Sequence, residues 1–152
     1  MSVNTAEKML LSVSSYFEAC NTGIKKDFVP LFHKNAAHYL PKGMFGPLLD
    51  VESLFNQWQE DARKNRAHWI LEKAYADEKQ STAIAEWTAV KTAQNIHYRG
   101  VDIFEFDSNG YISEVRVYYA TARDPNAGPN ELGGYDYSTN GWWQPLEKMH
   151  DN

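Results

Sequence analysis

Between Tyr98 and Tyr119, two runs rich in β-branched and aromatic residues flank the segment Asp107-Ser108-Asn109-Gly110. A compact turn between such runs is a hairpin signal, and it constrains the chain more than any other stretch. Side chains alternate across a strand, so Gly100, Asp102, Phe104 and Phe106 share one face, with Val101, Ile103 and Glu105 on the other. The pattern sets a carboxylate, Asp102, in a row of large apolar groups. Burial disfavours the charged form of an acid, so such a group is either paired or pushed toward neutrality.

Upstream, Met9, Leu10, Val13, Tyr16, Phe17 and Cys20 recur at helical spacing, which predicts an amphipathic helix over 5–22 with Thr5 as its cap and Gly23 as its stop. A shorter helical piece is expected at 25–33, where Pro30 fits only near the first turn. Residues 36–40 read as an extended segment stopped by Pro41, and 42–49, with Gly43, Gly46 and Pro47, as a loop. Asp50 caps a third helix to about Lys64, with Val51, Leu54, Phe55, Trp58 and Ala62 on one side. Strands are expected at 68–75, 82–92, 96–106 and 112–120. Helices first and then an antiparallel meander predict an α+β fold: a strongly curved antiparallel sheet closed by three N-terminal helices into a cone with an internal cavity. Residues 1–124 form the cone; 125–152 are an aromatic, Pro- and Gly-rich tail expected to pack on the cavity mouth or on a dimer partner.

The 152 residues fit one domain. The net charge is −5, and the positive residues form no stripe, so nucleic acid is not an expected partner. With no leader-like start and no apolar run near membrane-spanning length, the sequence is expected to be cytoplasmic, with no membrane partner. The single cysteine, Cys20, reads as a small core residue. The five histidines show no metal-ligand spacing, and neither a nucleotide-binding glycine motif nor a Gly-x-Ser-x-Gly elbow occurs, so neither metal nor cofactor is expected. Aromatic residues make up 14% of the chain, an excess that suggests a lined pocket or an oligomer interface.

The stretch Tyr16 to Gly23, Leu31-Phe32 and the segment 36–41, followed by Gly100-Val101-Asp102-Ile103-Phe104 and Asn109-Gly110-Tyr111-Ile112, resemble the SnoaL-like and ketosteroid-isomerase-like branch of the nuclear-transport-factor-2-like superfamily. The resemblance implies a cystatin-like cone of the α+β barrel type. It also implies a homodimer through the outer sheet face and, in many members, a small lipophilic molecule inside; other members have no catalytic role. In ketosteroid isomerases a helix tyrosine and a protonated aspartic acid on a late strand donate hydrogen bonds to a developing oxyanion. Tyr16 and Asp102 match those positions, whereas the aspartate base expected before Pro41 is here Leu40. Limonene-epoxide-hydrolase-like members add to the strand aspartate an arginine two residues earlier and a second aspartate after the last strand. Those positions correspond to Gly100 and Ala120, and Arg99 points to the opposite face.

Asp102 and Tyr16 are thus the candidate catalytic pair, and His38, on the same face as Leu40, is the candidate base. Each has a purely structural alternative: Asp102 as an idle carboxylate bonded to Tyr16 and a backbone amide, Tyr16 as core packing, His38 as a satisfied core or rim histidine. Trp87, Tyr119, Phe104, Trp69 and Leu40 are expected to bind the substrate along the cavity wall. Glu86, on the other face from Trp87, is a second-rank catalytic candidate and is placed to pair across strands with Arg116, with Tyr118 turned toward the interface. The expected function is a cofactor-independent isomerase, lyase or hydrolase acting on a small lipophilic or cyclic molecule. The alternative is a non-catalytic module of the same fold that binds a small molecule or a protein.

Overall fold

The computed structural model describes residues 3–120 and 131–144. Helix α1, Ala6–Thr22, starts at Thr5, whose hydroxyl accepts from the Lys8 amide, and stops at Gly23 in the left-handed region at φ 69°. The second helical piece, α2, is four residues long, Lys25–Phe28, and tightens into a 3₁₀ turn at Val29–Leu31 that accommodates Pro30. Strand β1, Phe32–Tyr39, follows, then helix α3, Val51–Asn65, capped by the Asp50 carboxylate. Four strands complete the described cone: β2 Ala67–Asp77, β3 Thr82–Lys91, β4 Ile96–Phe106 and β5 Ile112–Tyr119.

The five strands form one sheet in the order β1-β5-β4-β3-β2, curled but not closed into a barrel. The meander β2–β5 is antiparallel, whereas β1 lies parallel to β5, so the sheet is mixed and not purely antiparallel as expected. Local pattern cannot fix that direction, because β1 pairs with a strand far along the sequence. The register shifts between Leu71 and Lys73, between Phe32 and Ala37, and between Glu105 and Phe106. Such bulges bend a strand and increase its twist, which curls the sheet around the helices. At the hairpin turn the Asp107 carboxylate accepts from the amides of Asn109 and Tyr111, and Gly110 takes φ 89°.

The concave face packs against α1 and α3. Inward positions on β3 are small at Ala83, Ala85 and Ala89, which admits the aromatic face of α1 against Phe104. Large at Trp87 and absent at Gly100, the side chains of neighbouring strands interlock: a Cβ on Gly100 would meet the Trp87 ring and lie 2.5 Å from the Tyr118 carbonyl oxygen. No helix among the described residues is long and apolar enough to cross a membrane.

On the outer face Arg99 is 3% exposed, covered by residues 131–144 of its own chain. Its guanidinium donates to the Glu131 carboxylate at 3.1 Å, to the Thr88 hydroxyl at 2.7 Å and to the Trp143 carbonyl at 3.0 Å, and it lies 4.1 Å from the Tyr137 ring centre. Glu72 accepts from Thr88 and from the Trp143 amide. The described part of the tail therefore rests on the outer sheet face of its own chain, away from the cavity; residues 125–130 and 145–152 of the expected tail lie outside the described residues. Glu86 and Arg116 do not meet, because β4 runs between their strands; Arg116 instead pairs with Glu105 and Glu114.

Removing one partner of a buried ion pair leaves the others uncompensated. Arg99→Ala is expected to lower unfolding stability by roughly 3 kcal/mol in urea titrations and to open Trp142 to acrylamide quenching. Unchanged stability and quenching would show that the tail is held by other contacts.

Candidate active site

The alternation on β4 turns Asp102 into the concavity, opposite Ala85 on β3 and Val117 on β5. The carboxyl is 4% exposed and accepts one hydrogen bond from a side chain, from Trp87 Nε1 to its Oδ1 at 2.7 Å. Burial drives its pKa up to about 7, and the indole donor only partly opposes that rise. The acid is therefore present in neutral and ionised forms near neutral pH.

Tyr16 comes from the buried stripe of α1 and faces the same cavity. Its hydroxyl oxygen accepts from Trp58 Nε1 at 3.0 Å and lies 3.2 Å from His38 Nε2. His38 is fully buried, its Nδ1 has no partner, and burial lowers its pKa to about 3, so the ring is neutral. A buried orphan N–H is rarer than an unfilled acceptor site, and on that ground we assign the hydrogen to Nε2. Two donors then converge on the Tyr16 oxygen, and its own O–H is left to donate on the cavity side, where the Cys20 sulfur lies within hydrogen-bonding reach. Burial, with Cys20 and Asp102 close by, holds the phenol well above its ordinary pKa, so it remains a donor.

The cavity is small, about 20 Å³, room for about one water. Asp102, Tyr16, Trp87, Trp69 and Tyr119 line it, with Phe17, Cys20, Trp58 and Val117. Asp102 and Tyr16 share this cavity, but each is bonded to a different indole, so the expected direct pair is replaced by two groups facing one space. Phe104 lies behind it, sealed against the Tyr16 and Phe17 rings, and Leu40 lies in a separate groove. His38 does not reach the cavity; it is the partner of Tyr16 and not a base for the substrate. Sequence reasoning placed Trp58 on the core side of α3 but missed its bond to Tyr16, since a helical stripe gives the direction of a side chain and not the atom it meets. Asn21 holds Trp69, one wall of the cavity, by bonding both of its backbone groups, at 2.7 and 2.6 Å.

Residues 13–115 match the SnoaL-like domain family. The chain belongs to that family. A protein of unknown function with a cystatin-like fold, from Methylobium petroleophilum PM1, is 27% identical and superposes with a TM-score of 0.75 over 92% of this chain and 93% of that one. A candidate ketosteroid isomerase from Kribbella flavida is 18% identical, with a TM-score of 0.68 over 81% and 85% of the two chains. The epoxide hydrolase/cyclase-like enzyme SalBIII, which acts in pyran ring formation in the polyether salinomycin, is 18% identical, with a TM-score of 0.61 over 74% and 91%. At that identity the last two establish shared fold alone. No curated protein matches the chain.

The raised pKa of Asp102 makes folding pH-dependent. The folded state holds this proton up to about pH 7, whereas the unfolded chain releases it near 3.8. Stability from that proton is complete below the unfolded pKa and is lost as pH rises through the folded one. His38 acts in the opposite direction between its ordinary 6.5 and about 3, and it cancels when wild type is compared with Asp102→Asn. Urea titrations at pH 4 and pH 8 are expected to show wild type losing roughly 4 kcal/mol relative to the variant. Parallel profiles would mean an ordinary carboxylate.

Proposed function

We propose that this SnoaL-like chain is a cofactor-independent acid–base enzyme that moves a proton on a small lipophilic molecule whose oxygen faces Tyr16 and whose reacting carbon faces Asp102. The observation that carries the reading is the pairing, across one small buried cavity, of a carboxyl titrating near 7 with a phenol whose oxygen already holds two donors. A group titrating near the working pH can both take and return a proton. A donor aimed at developing charge in a water-poor site contributes roughly 3–4 kcal/mol.

On a β,γ-unsaturated ketone, the Asp102 carboxylate takes a proton from the α carbon, between the carbonyl and the double bond. The C–H electron pair passes into an enolate whose oxygen accepts from Tyr16 O–H. Asp102 then returns the proton to the far carbon of the conjugated system, which restores the carboxylate and isomerises the substrate. Asp102 thereby takes the part of the base that Leu40 cannot play, while His38 and Trp58 position the phenol. Support of a weaker kind comes from two fold relatives, one a candidate ketosteroid isomerase and the other epoxide hydrolase/cyclase-like.

Wild type, Asp102→Asn and Tyr16→Phe are to be assayed on a panel of enones, lactones and epoxides with product analysis. Each substitution is expected to lower kcat/KM at least about 100-fold while the fold is retained, and the wild-type rate should rise through an inflection near pH 7. Ligands that bind wild type and leave unchanged would make the chain a binding module instead. The small size of the cavity is the observation that favours that second reading.

A further inference from the structure

The cavity at Asp102 shares a wall with a much larger space. Strand β1 ends at Tyr39, opposite Arg116, whereas β5 runs on to Tyr119. Past that point Leu40 and Pro41 turn away, and the lane beside the end of β5 becomes a groove of about 360 Å³. Tyr39, Leu40, Pro41 and Tyr118 line it together with Val117 and Tyr119, and the last two also line the Asp102 cavity. One valine and one tyrosine thus stand between the two compartments.

Size separates their roles. A buried cavity of about 150 Å³ takes up a benzene ring, so the groove has room for a ring and the inner cavity of about 20 Å³ has not. Chemistry separates them as well. The inner wall carries the carboxyl and the phenol, while the groove offers tyrosine faces, a leucine and a proline. Its one charged group, Arg116, is engaged by both Glu105 and Glu114, which leaves no net positive charge to attract an anion. The wall itself is held by ring packing. Tyr119 meets Trp87 edge-on at 5.1 Å and Tyr98 at 5.6 Å, and among the described residues its hydroxyl makes no hydrogen bond. A rotation of this ring breaks no hydrogen bond among the described residues and disturbs only its edge-on contacts with Trp87 and Tyr98.

We propose that the molecule handled at Asp102 has two parts: an uncharged, ring-bearing body that lies in the groove between Tyr39–Pro41 and Tyr118, and a small oxygen-bearing head that passes Tyr119 into the inner cavity. The assignment of the head rests on the function proposed above; the assignment of the body rests on the groove alone.

Three probes separate the parts: acetone as a head, butylbenzene as a body, and 4-phenylbutan-2-one as both. Calorimetric titration of wild type is expected to give at least tenfold tighter binding of 4-phenylbutan-2-one than of acetone. Tyr39→Ala combined with Tyr118→Ala truncates two partly exposed side chains, 41% and 55% exposed, without entering the core. That variant is expected to lose the tenfold preference and the affinity for butylbenzene, with acetone binding and the melting temperature unchanged. Tyr118→Phe, which keeps the ring, should retain both. Equal or absent binding of the two ketones by wild type, or a preference that survives the double truncation, overturns the two-part reading. Asp102→Asn should weaken both ketones and spare butylbenzene. If it weakens neither while butylbenzene still needs the groove, the acid–base function fails and the groove stands.

Discussion

A single indole N–H is the main counterweight to the burial of Asp102. Trp87 donates to the carboxylate, and that bond favours the charged form, yet the surrounding apolar rings favour the neutral one more strongly. The rest of the site follows from holding this balance. Trp87 needs the space above Gly100, so no side chain fits there, and the arginine that limonene-epoxide-hydrolase-like relatives place at that position has no room. Ala85 beside Asp102 keeps the strand face low enough for α1 to bring Tyr16 across.

Tyr16 is supported in a different way. Its ring is packed by Phe17, Phe28, Phe32 and Phe104, so its position is set by dispersion and shape. Its oxygen is set by Trp58 and His38. A histidine buried as a neutral ring is a poor proton acceptor but a good fixed donor, which explains why it stands behind the tyrosine and not in the cavity. The unpartnered Nδ1 is the cost of that arrangement.

Much of this was legible in the sequence, and for identifiable reasons. Thr5, Gly23 and Asp50 bound their helices through local hydrogen bonds and backbone conformation, which depend on near neighbours. Two-residue alternation placed Asp102, Trp87 and Tyr119 inward and Arg99 outward. What failed to show was contact between distant parts of the chain. The parallel pairing of β1, the bond from Trp58 to Tyr16 and the seating of residues 131–144 on Arg99 each join segments far apart in sequence. The expected pairing of Glu86 with Arg116 assumed that β3 and β5 were neighbours, and the sheet order interposes β4. Phe104 packs behind the cavity wall and Leu40 lies in a separate groove, because face alone does not distinguish a cavity wall from the layers around it.

The outer face shows the same logic applied to charge. Arg99 is buried with two carboxylates, a hydroxyl and a carbonyl around it, and the aromatic residues of the tail stack over what remains. An arginine held by so many partners is a structural clamp, and the group proposed for acid–base work faces the concave side instead. That division makes Asp102 the single group on which the account turns. The most direct measurement is a ¹³C NMR titration of the Asp102 carboxyl carbon, assigned by comparison with Asp102→Asn. A midpoint near 7 is the result the account requires, and a midpoint near 4 would contradict it.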